Sequence, residues 1–282
     1  MIDIRYHVIS LASVFLALAI GILLGTTLVE RGLISEQKSQ IKSLQGTFSE
    51  IKKKNESLHD DLKVYQDFAD QSKGYLLTDR LSQMSYALLK NPDSDAATAD
   101  VTSRTIASAG GAVPVTITIH SDKMNEPAVQ DALARMFAMQ TEKNMLYKRV
   151  CQEIVNQLAT ASNPAVLTQF GDLGLIKMDG ALSSPVNGAV LVAPDNSSDD
   201  AVQVSDVPLI KSFVEAHFPL LGVGGSHTSD SMLVTFRRNG ISTVDRLDSV
   251  PGQVAMVMAL GGRWGNYGRG SAADRLLPAQ GL

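Results

Sequence analysis

"YHVISLASVFLALAIGILLGTTLVERG", residues 6–32, contains 22 consecutive residues without a charge, at positions 8–29. As an α-helix this run measures about 33 Å and can cross a bilayer core of roughly 30 Å. A cleaved signal peptide has a shorter apolar stretch and ends in a small-x-small site, of which residues 25–29 are a poor approximation. We therefore predict a retained transmembrane helix over 8–29, preceded by a tail of residues 1–7.

Small residues recur at every fourth position of this helix and so share one face; they are Ser13, Ala17, Gly21 and Gly25. The last two form a G-x-x-x-G pattern, which lets two membrane helices approach closely. Gly and Ala are also common in membrane helices that do not pair. Self-association through this face is one of two readings of the pattern.

The charges that flank the helix bear on its orientation. Arg5 precedes it, whereas Arg31, Lys38 and Lys42 follow it. Taken literally, the positive-inside rule places the C-terminal bulk in the cytoplasm. A short N-terminal tail is also typical of an uncleaved signal-anchor, which places the bulk outside.

Composition limits the remaining possibilities. The net charge of −4 and the pI near 5.7 give no basic footprint, so we expect no nucleic-acid partner. The aromatic content of 5% suits an α/β core better than an aromatic-rich barrel. Cys151 is the single cysteine, which excludes an internal disulfide and a Cys-pair metal site within one chain.

A seven-residue repeat follows the apolar helix, over residues 30–72. With the first a position at Ile34, the a positions are Ile34, Ile41, Phe48, Asn55, Leu62 and Ala69, and the d positions are Gln37, Leu44, Ile51, Leu58 and Tyr65. The e and g positions carry Lys38, Lys52, Lys54, His59 and Asp61. Eight of these eleven a and d residues are large and apolar, and a single Asn in the a row is a known register signal in two-stranded coiled coils.

We interpret this segment as a parallel coiled coil, because a shared membrane anchor at the same end aligns both chains. One long helix packed on its own domain is the alternative.

Short apolar runs alternate with helical stretches in the rest of the chain, residues 73–282. Predicted strands are Met84–Leu89, Val113–Ile119, Ala189–Val192, Leu220–Val223 and Ser242–Val244. Predicted helices are Ala96–Ala109, Glu126–Met139, Leu146–Thr160, Val207–His217, Ser229–Arg238 and Pro251–Leu260, with 193–200 as a loop. This order predicts a Rossmann-like domain, with helices on both faces of a mostly parallel sheet.

Enzymatic motifs are missing from the sequence. The run Gly222-Val-Gly224-Gly225-Ser226-His227 approaches a dinucleotide loop but has His227 where the third glycine belongs, so a tight turn is the preferred reading. The same region lacks the second glycine of a nucleophile elbow, and neither a P-loop nor H-E-x-x-H occurs. We therefore expect that this chain is not an enzyme.

Metal ligands are equally sparse. The five histidines stand far apart at positions 7, 59, 120, 217 and 227. Cu(I) accepts thioether ligands, and methionines occur in pairs at Met136 and Met139 and at Met256 and Met258. Such residues more often fill gaps in a core. A copper site is possible on this composition, but no ligand set is defined.

The Gly-rich tail from residue 261 contains aromatic and basic residues that are typical interface anchors: Arg263, Trp264, Tyr267 and Arg269. A partner-binding loop is the preferred interpretation, and a flexible end is the alternative.

The opening "MIDIRYHVISLASVFLALAIGILLG", the coiled coil, "AGGAV" and "VPGQVAMVMALGGRWGNYG" together resemble the actinobacterial copper-transporter family. The resemblance implies an envelope protein with one anchor, a coiled coil and an extracytoplasmic α/β domain. Family members are described as copper-efflux components or, for the SteB-like proteins, as cell-separation factors that regulate a peptidoglycan hydrolase. No ligand residues transfer from the family to this sequence.

The resemblance and the residues together lead to two hypotheses. The first is a dimeric, membrane-anchored scaffold with a nominal role in copper efflux. The second is a SteB-like cell-separation factor with no copper role. One apolar helix lines no polar pore, so conduction by this chain alone is not expected.

Overall fold

The computed structural model describes residues 4–139, 142–195 and 199–279. The chain divides into two compact units, Met1–Asp67 and Phe68–Leu282.

Helix α1 (Ile4–Leu77) contains both the apolar N-terminal stretch and the heptad segment. Its residues Ile4–Gly25 are long and apolar enough to cross a membrane, and none of them is buried within the chain. This confirms an N-terminal apolar helix suited to a single membrane anchor. The side chains of residues 26–36, Ile34 included, lie outside the described part, as do residues 1–3 of the predicted tail.

A seven-stranded sheet forms the centre of the second unit. The strands are β1 (Tyr86–Lys90), β2 (Val115–Ile119), β3 (Ile176–Gly180), β4 (Gly188–Val192), β5 (Leu220–Val223), β6 (Ser242–Val244) and β7 (Asn266–Tyr267). Their order is β3-β2-β1-β4-β5-β6-β7, and every pair is parallel except β2–β3. The predicted mostly parallel, Rossmann-like sheet is confirmed.

Seven further α-helices complete the described part of this unit. They are α2 (Ala96–Ser108), α3 (Pro127–Phe137), α4 (Lys143–Thr160), α5 (Ala165–Asp172), α6 (Asp199–Glu215), α7 (Asp230–Arg238) and α8 (Val250–Leu260). A 3-10 helix, Ser121–Asn125, follows β2.

Two hydrophobic cores lie on opposite faces of the sheet, because successive strand residues point to opposite sides. In β4, Ala189 and Leu191 enter the first core, which α3 to α7 cover. Val190 and Val192 enter the second, which α2 and α8 cover together with Leu77 from the end of α1. The predicted covering of both faces by helices is therefore observed.

Among the strands and α-helices, four elements differ from the predictions: β3, β7, α5 and α6. Strand β3 was not predicted, because "IKMDG" is a short, largely exposed edge strand that pairs antiparallel to β2. Helix α6 begins at Asp199, within the predicted loop 193–200, and Pro208 lies inside it instead of at its start. Helix α5 lacks the length that makes a periodic pattern visible.

Within the described residues 261–279, the tail contributes the last strand of the sheet, β7. Strand β7 pairs with β6, so that Thr243 lies beside Asn266 and Val244 beside Tyr267. The Asp245 carboxylate then accepts hydrogen bonds from the backbone N–H groups of Arg269 and Gly270. These contacts hold the tail at the carboxyl end of β6.

Candidate functional site

The first candidate surface is the row of heptad side chains on α1. The row contains Ile41, Leu44, Phe48, Ile51, Leu58, Leu62 and Tyr65, whose exposed fractions range from 52% to 72%. Asn55 lies among them and lines a shallow depression with Phe48 and Ile51. A row of large apolar side chains open to solvent is a surface that gains free energy when something covers it.

The small-residue face of the apolar helix is also open. A Cβ atom added at Gly21 or Gly25 would meet nothing within 4 Å. The Ser13 hydroxyl donates a 2.8 Å hydrogen bond to the Ile9 carbonyl, so its polar group is satisfied within its own helix. A second helix could therefore approach this face without leaving that hydroxyl unpaired.

The carboxyl edge of the parallel sheet is where Rossmann-like folds bind ligands. At this edge β1 runs into Asn91-Pro92-Asp93-Ser94-Asp95, which contains no glycine. Asp95 caps α2 and accepts hydrogen bonds from the N–H groups of Ala97 and Thr98 and from the Thr98 hydroxyl. The helix N-terminus that would face a phosphate group is thus occupied by a carboxylate of the chain itself.

The negative charge of Asp95 further disfavours a phosphate group at the N-terminus of α2. Burial acts to raise the pKa of Asp95, but hydrogen bonds from Thr98 and Ala97 outweigh it and hold the pKa below its usual value. The group is therefore a stable anion at neutral pH and repels phosphate.

The glycine run after β5 packs as a tight turn. A Cβ atom at Gly225 would approach the Thr98 hydroxyl to 2.5 Å, and one at Gly224 would crowd Thr228. The Thr228 hydroxyl in turn donates to Asp195. The glycines are needed for close packing between loops, as the tight-turn reading expects.

A crevice of about 630 Å³ opens beside the carboxyl ends of β1 and β2. Its lining mixes both charges and several hydrogen-bonding groups: Asn91, Asp93, His120, Ser121, Asp122, Asn125, Lys143 and Ser205. Lys143 donates a hydrogen bond to Asn125 across it. The crevice combines these polar groups with apolar surface from Pro92 and Val204 and is of a size for a small ligand.

A buried carboxylate lies next to the crevice wall. Asp206 is 1% exposed, and one of its oxygens accepts a 2.6 Å hydrogen bond from Asn91. Its other oxygen has no hydrogen-bond partner among the described residues. Burial raises the pKa of Asp206 to about 6, even though hydrogen bonds from Asn91 and Ser205 act to lower it. The sequence analysis did not identify this residue.

Helix α4 contributes two further buried groups near Asp206. The Tyr147 hydroxyl donates to the Ser205 carbonyl at 2.8 Å, and burial raises the pKa of Tyr147 well above its usual value. Burial also raises the pKa of the Cys151 thiol to about 12. Cys151 is therefore a protonated thiol at neutral pH and a poor nucleophile.

Potential copper ligands are dispersed over the described residues. Met136 and Met139 pack against the first core, Met256 is fully buried in the second, and Met258 packs against it. Within 4–139, 142–195 and 199–279, no group of three or more His, Cys, Asp or Glu residues is placed to hold a metal ion.

The tail residues predicted to contact a partner separate into two kinds. Tyr267 is buried in the second core, and its hydroxyl donates to the carbonyls of Arg263 and Trp264. Arg263, Trp264 and Arg269 are exposed. Tyr267 therefore positions the turn that carries its neighbours and does not itself present a ring to solvent.

The fold and these surfaces define a class of protein: an α/β domain on a long helix whose N-terminal part suits a membrane anchor, with the phosphate position of the Rossmann-like sheet blocked. Residues 1–278 match the family described as "Copper transport outer membrane protein, MctB", and the chain belongs to that family.

Named relatives agree with this assignment. The "Copper transporter MctB" of Mycobacterium tuberculosis and that of Mycobacterium bovis are each 25% identical to this chain, over 99% of the chain and 100% of the relative. The Mycobacterium leprae protein of the same name is 24% identical over the same shares.

The raised pKa of Asp206 makes stability depend on pH. The unfolded state loses this proton near pH 4 and the folded state near pH 6, so this contribution to stability is complete below pH 4 and is lost as pH rises through 6. The loss is about 3 kcal/mol at about 1.4 kcal/mol per pKa unit. We expect Asp206→Asn to remove this slope, measured by urea unfolding at several pH values with the fluorescence of Trp264.

Asp122→Asn is the matched control, because Asp122 lines the same crevice but is exposed. Its slope should equal that of the unmodified chain. An unchanged slope in Asp206→Asn would show that this carboxylate does not titrate with a raised pKa.

Proposed function

We propose that this chain is a single-pass, membrane-anchored envelope protein that works in copper homeostasis as a parallel homodimeric scaffold. One observation carries the proposal: the seven large apolar side chains at a and d positions of α1 are all more than half exposed. Covering such a row removes apolar surface from water, which stabilises the covered state by roughly 25 cal/mol for each Å² buried.

A second copy of the chain is the occupant that fits this row best. Two copies anchored by the same end run parallel, and identical heptads then meet in register. Asn55 would face its own counterpart and form a side-chain hydrogen bond. The open face at Gly21 and Gly25 would let the two membrane helices approach as well.

A scaffold suits the membrane segment better than a conduit does. An ion path needs several helices or a closed barrel to satisfy its polar lining, and Ile4–Gly25 is one apolar helix. The copper role comes from the family name and from the relatives named copper transporters. We assign conduction, where it occurs, to an assembly and not to one chain, and we assign the chain no enzymatic activity.

The second candidate is regulation of a peptidoglycan hydrolase at cell separation, with no copper role. Val64 is one contact point for such a partner, because this residue is 67% exposed at a c position, outside the a and d row. An apolar side chain there remains open after dimerisation and could contact a cell-wall enzyme or another membrane protein.

We propose that residues 30–282 lie outside the cytoplasm, and the family description, "Copper transport outer membrane protein, MctB", supports this placement. Protease added to intact protoplasts is expected to degrade this part. The same protease after membrane lysis is the control for accessibility. Full protection in intact protoplasts would contradict the proposal and support the positive-inside count of Arg31, Lys38 and Lys42.

The dimer is tested with peptides of residues 30–72. We expect Asn55→Leu to raise the melting temperature and to loosen the oligomeric state, because apolar burial is gained while the register signal is lost. We expect Leu58→Asn to weaken association about a hundredfold or more, since two buried leucines are lost per dimer. Sedimentation equilibrium measures both.

Gly46→Ala is the matched control for helix stability. Gly46 falls at an f position, and a Cβ atom there meets nothing within 4 Å. Alanine should add about 1 kcal/mol of helix stability and leave the number of chains unchanged. A monomeric wild-type peptide at high micromolar concentration, or unchanged association in Leu58→Asn, would rule out the dimeric scaffold.

Copper binding by the chain is tested by anaerobic Cu(I) titration of the full chain in detergent, against a competing chelator. We expect no stoichiometric site, because the paired methionines pack against the cores. Stoichiometric binding that disappears in the double variant Met136→Leu, Met139→Leu but persists in Met145→Leu, an exposed control, would contradict this expectation.

A further inference from the structure

We infer that the pocket formed by the C-terminal tail, lined by residues 263–267, 274, 275, 278 and 279, binds an acidic and partly apolar segment of another protein. This pocket has a volume of about 690 Å³. The inference goes beyond the proposed dimer and does not depend on it.

The charge of the pocket is positive. Its three charged lining residues are Arg263, Asp274 and Arg275. Asp274 is already neutralised, because Arg237 donates to one of its oxygens at 2.7 Å and Asn266 donates to the other at 3.0 Å. Among the described residues, the ion pair Arg237–Asp274 is the only one in the pocket. The Arg263 guanidinium donates to the Ala279 carbonyl at 3.2 Å and keeps further N–H donors, so this group and the Arg275 guanidinium can both meet an external anion.

The backbone that carries these arginines is held in place. The Arg263 N–H donates to the Met258 carbonyl at the end of α8, and the Arg263 carbonyl accepts from the Tyr267 hydroxyl. On the other side, the Gly268 N–H donates to the Arg275 carbonyl, which keeps that residue beside β7. A preorganised site loses less conformational entropy when a ligand binds.

The apolar part of the surface selects a protein segment over a free phosphate. Trp264, the only tryptophan of the chain, lines the pocket and is 40% exposed. Leu276 and Leu277 follow Arg275 in the chain and are also exposed. Tryptophan and arginine are the residues that most often dominate binding energy at protein interfaces, whereas a phosphate ion would leave the apolar surface uncovered.

Guanidinium groups also suit a carboxylate, as they suit a phosphate. Each presents a planar fork of N–H donors that matches a carboxylate with two parallel hydrogen bonds. The same positive charge disfavours a copper cation at this position. The free edge of β7 is covered by residues 274 and 275, so recognition here depends on side chains and not on an added strand.

The test uses the full chain in phosphatidylcholine nanodiscs, with Trp264 as the fluorescent reporter. The probe is the peptide acetyl-Glu-Leu-Glu-Leu-Glu-amide, and the same peptide with Gln for Glu is its neutral counterpart. We expect the acidic peptide to change the Trp264 emission saturably, with half-saturation below about 1 mM, and the neutral peptide to bind at least about tenfold more weakly.

Arg263→Gln and Arg275→Gln should each weaken the acidic peptide about tenfold, because each removes one charged pair. Arg263→Lys should weaken it less, since it keeps the charge and loses only the fork. Arg238→Gln, which changes an exposed arginine on α7 outside the pocket, should have no effect. Thermal unfolding of each variant verifies that the fold is intact.

Several results would overturn the inference: no saturation by the acidic peptide at 1 mM, equal binding of the neutral peptide, or unchanged binding in both glutamine variants. An equal response to inorganic phosphate, or a response to phosphatidylglycerol vesicles in place of the peptide, would assign the pocket to a phosphate group instead. A monomeric chain that still bound the peptide would contradict the dimer and leave this inference standing.

Discussion

The parallel pairing of β1 with β4 is the constraint on which the α/β domain depends. Five residue pairs, from Tyr86 beside Gly188 to Lys90 beside Val192, join segments just over a hundred residues apart. Because β1 and β4 have neighbours on both edges and helices on both faces, their polar backbone groups are satisfied within the sheet. The other strands extend the sheet on either side of this pair, with β2 and β3 beside β1 and β5 to β7 beside β4.

The same pairing creates the crevice of a nucleotide-binding fold, but the loops around it carry different chemistry. Asp95 occupies the start of α2. The space beside the glycines after β5 is taken up by the side chains of Thr98 and Thr228. The polar groups that remain at this edge lie toward β1 and β2, where Asn91 holds the buried Asp206. An inherited fold is therefore compatible with a role other than nucleotide chemistry, and function has to be argued from the groups present.

The sequence predicted the elements whose patterns are local. The run Gly188–Val192 is continuously apolar, and Gly110-Gly111 ends α2, so both were visible without a structure. The edge strand β3 and strand β7 were not, because one is polar and the other has two residues. Asp206 could not be predicted either, since its partner Asn91 is 115 positions away and nothing near it in the chain marks a buried acid. The coiled coil remains a prediction, because its partner is another chain.

Helix α1 has a consequence for spacing. Residues 30–67, between the apolar stretch and the second unit, measure about 55 Å along the helix axis at 1.5 Å per residue. In the proposed dimer, an insertion of seven residues would lengthen this segment by about 10 Å and keep the apolar row on the same face, whereas an insertion of three or four residues would change the local winding of the two helices. The proposed seam would therefore link the length of this segment to the winding of its helices.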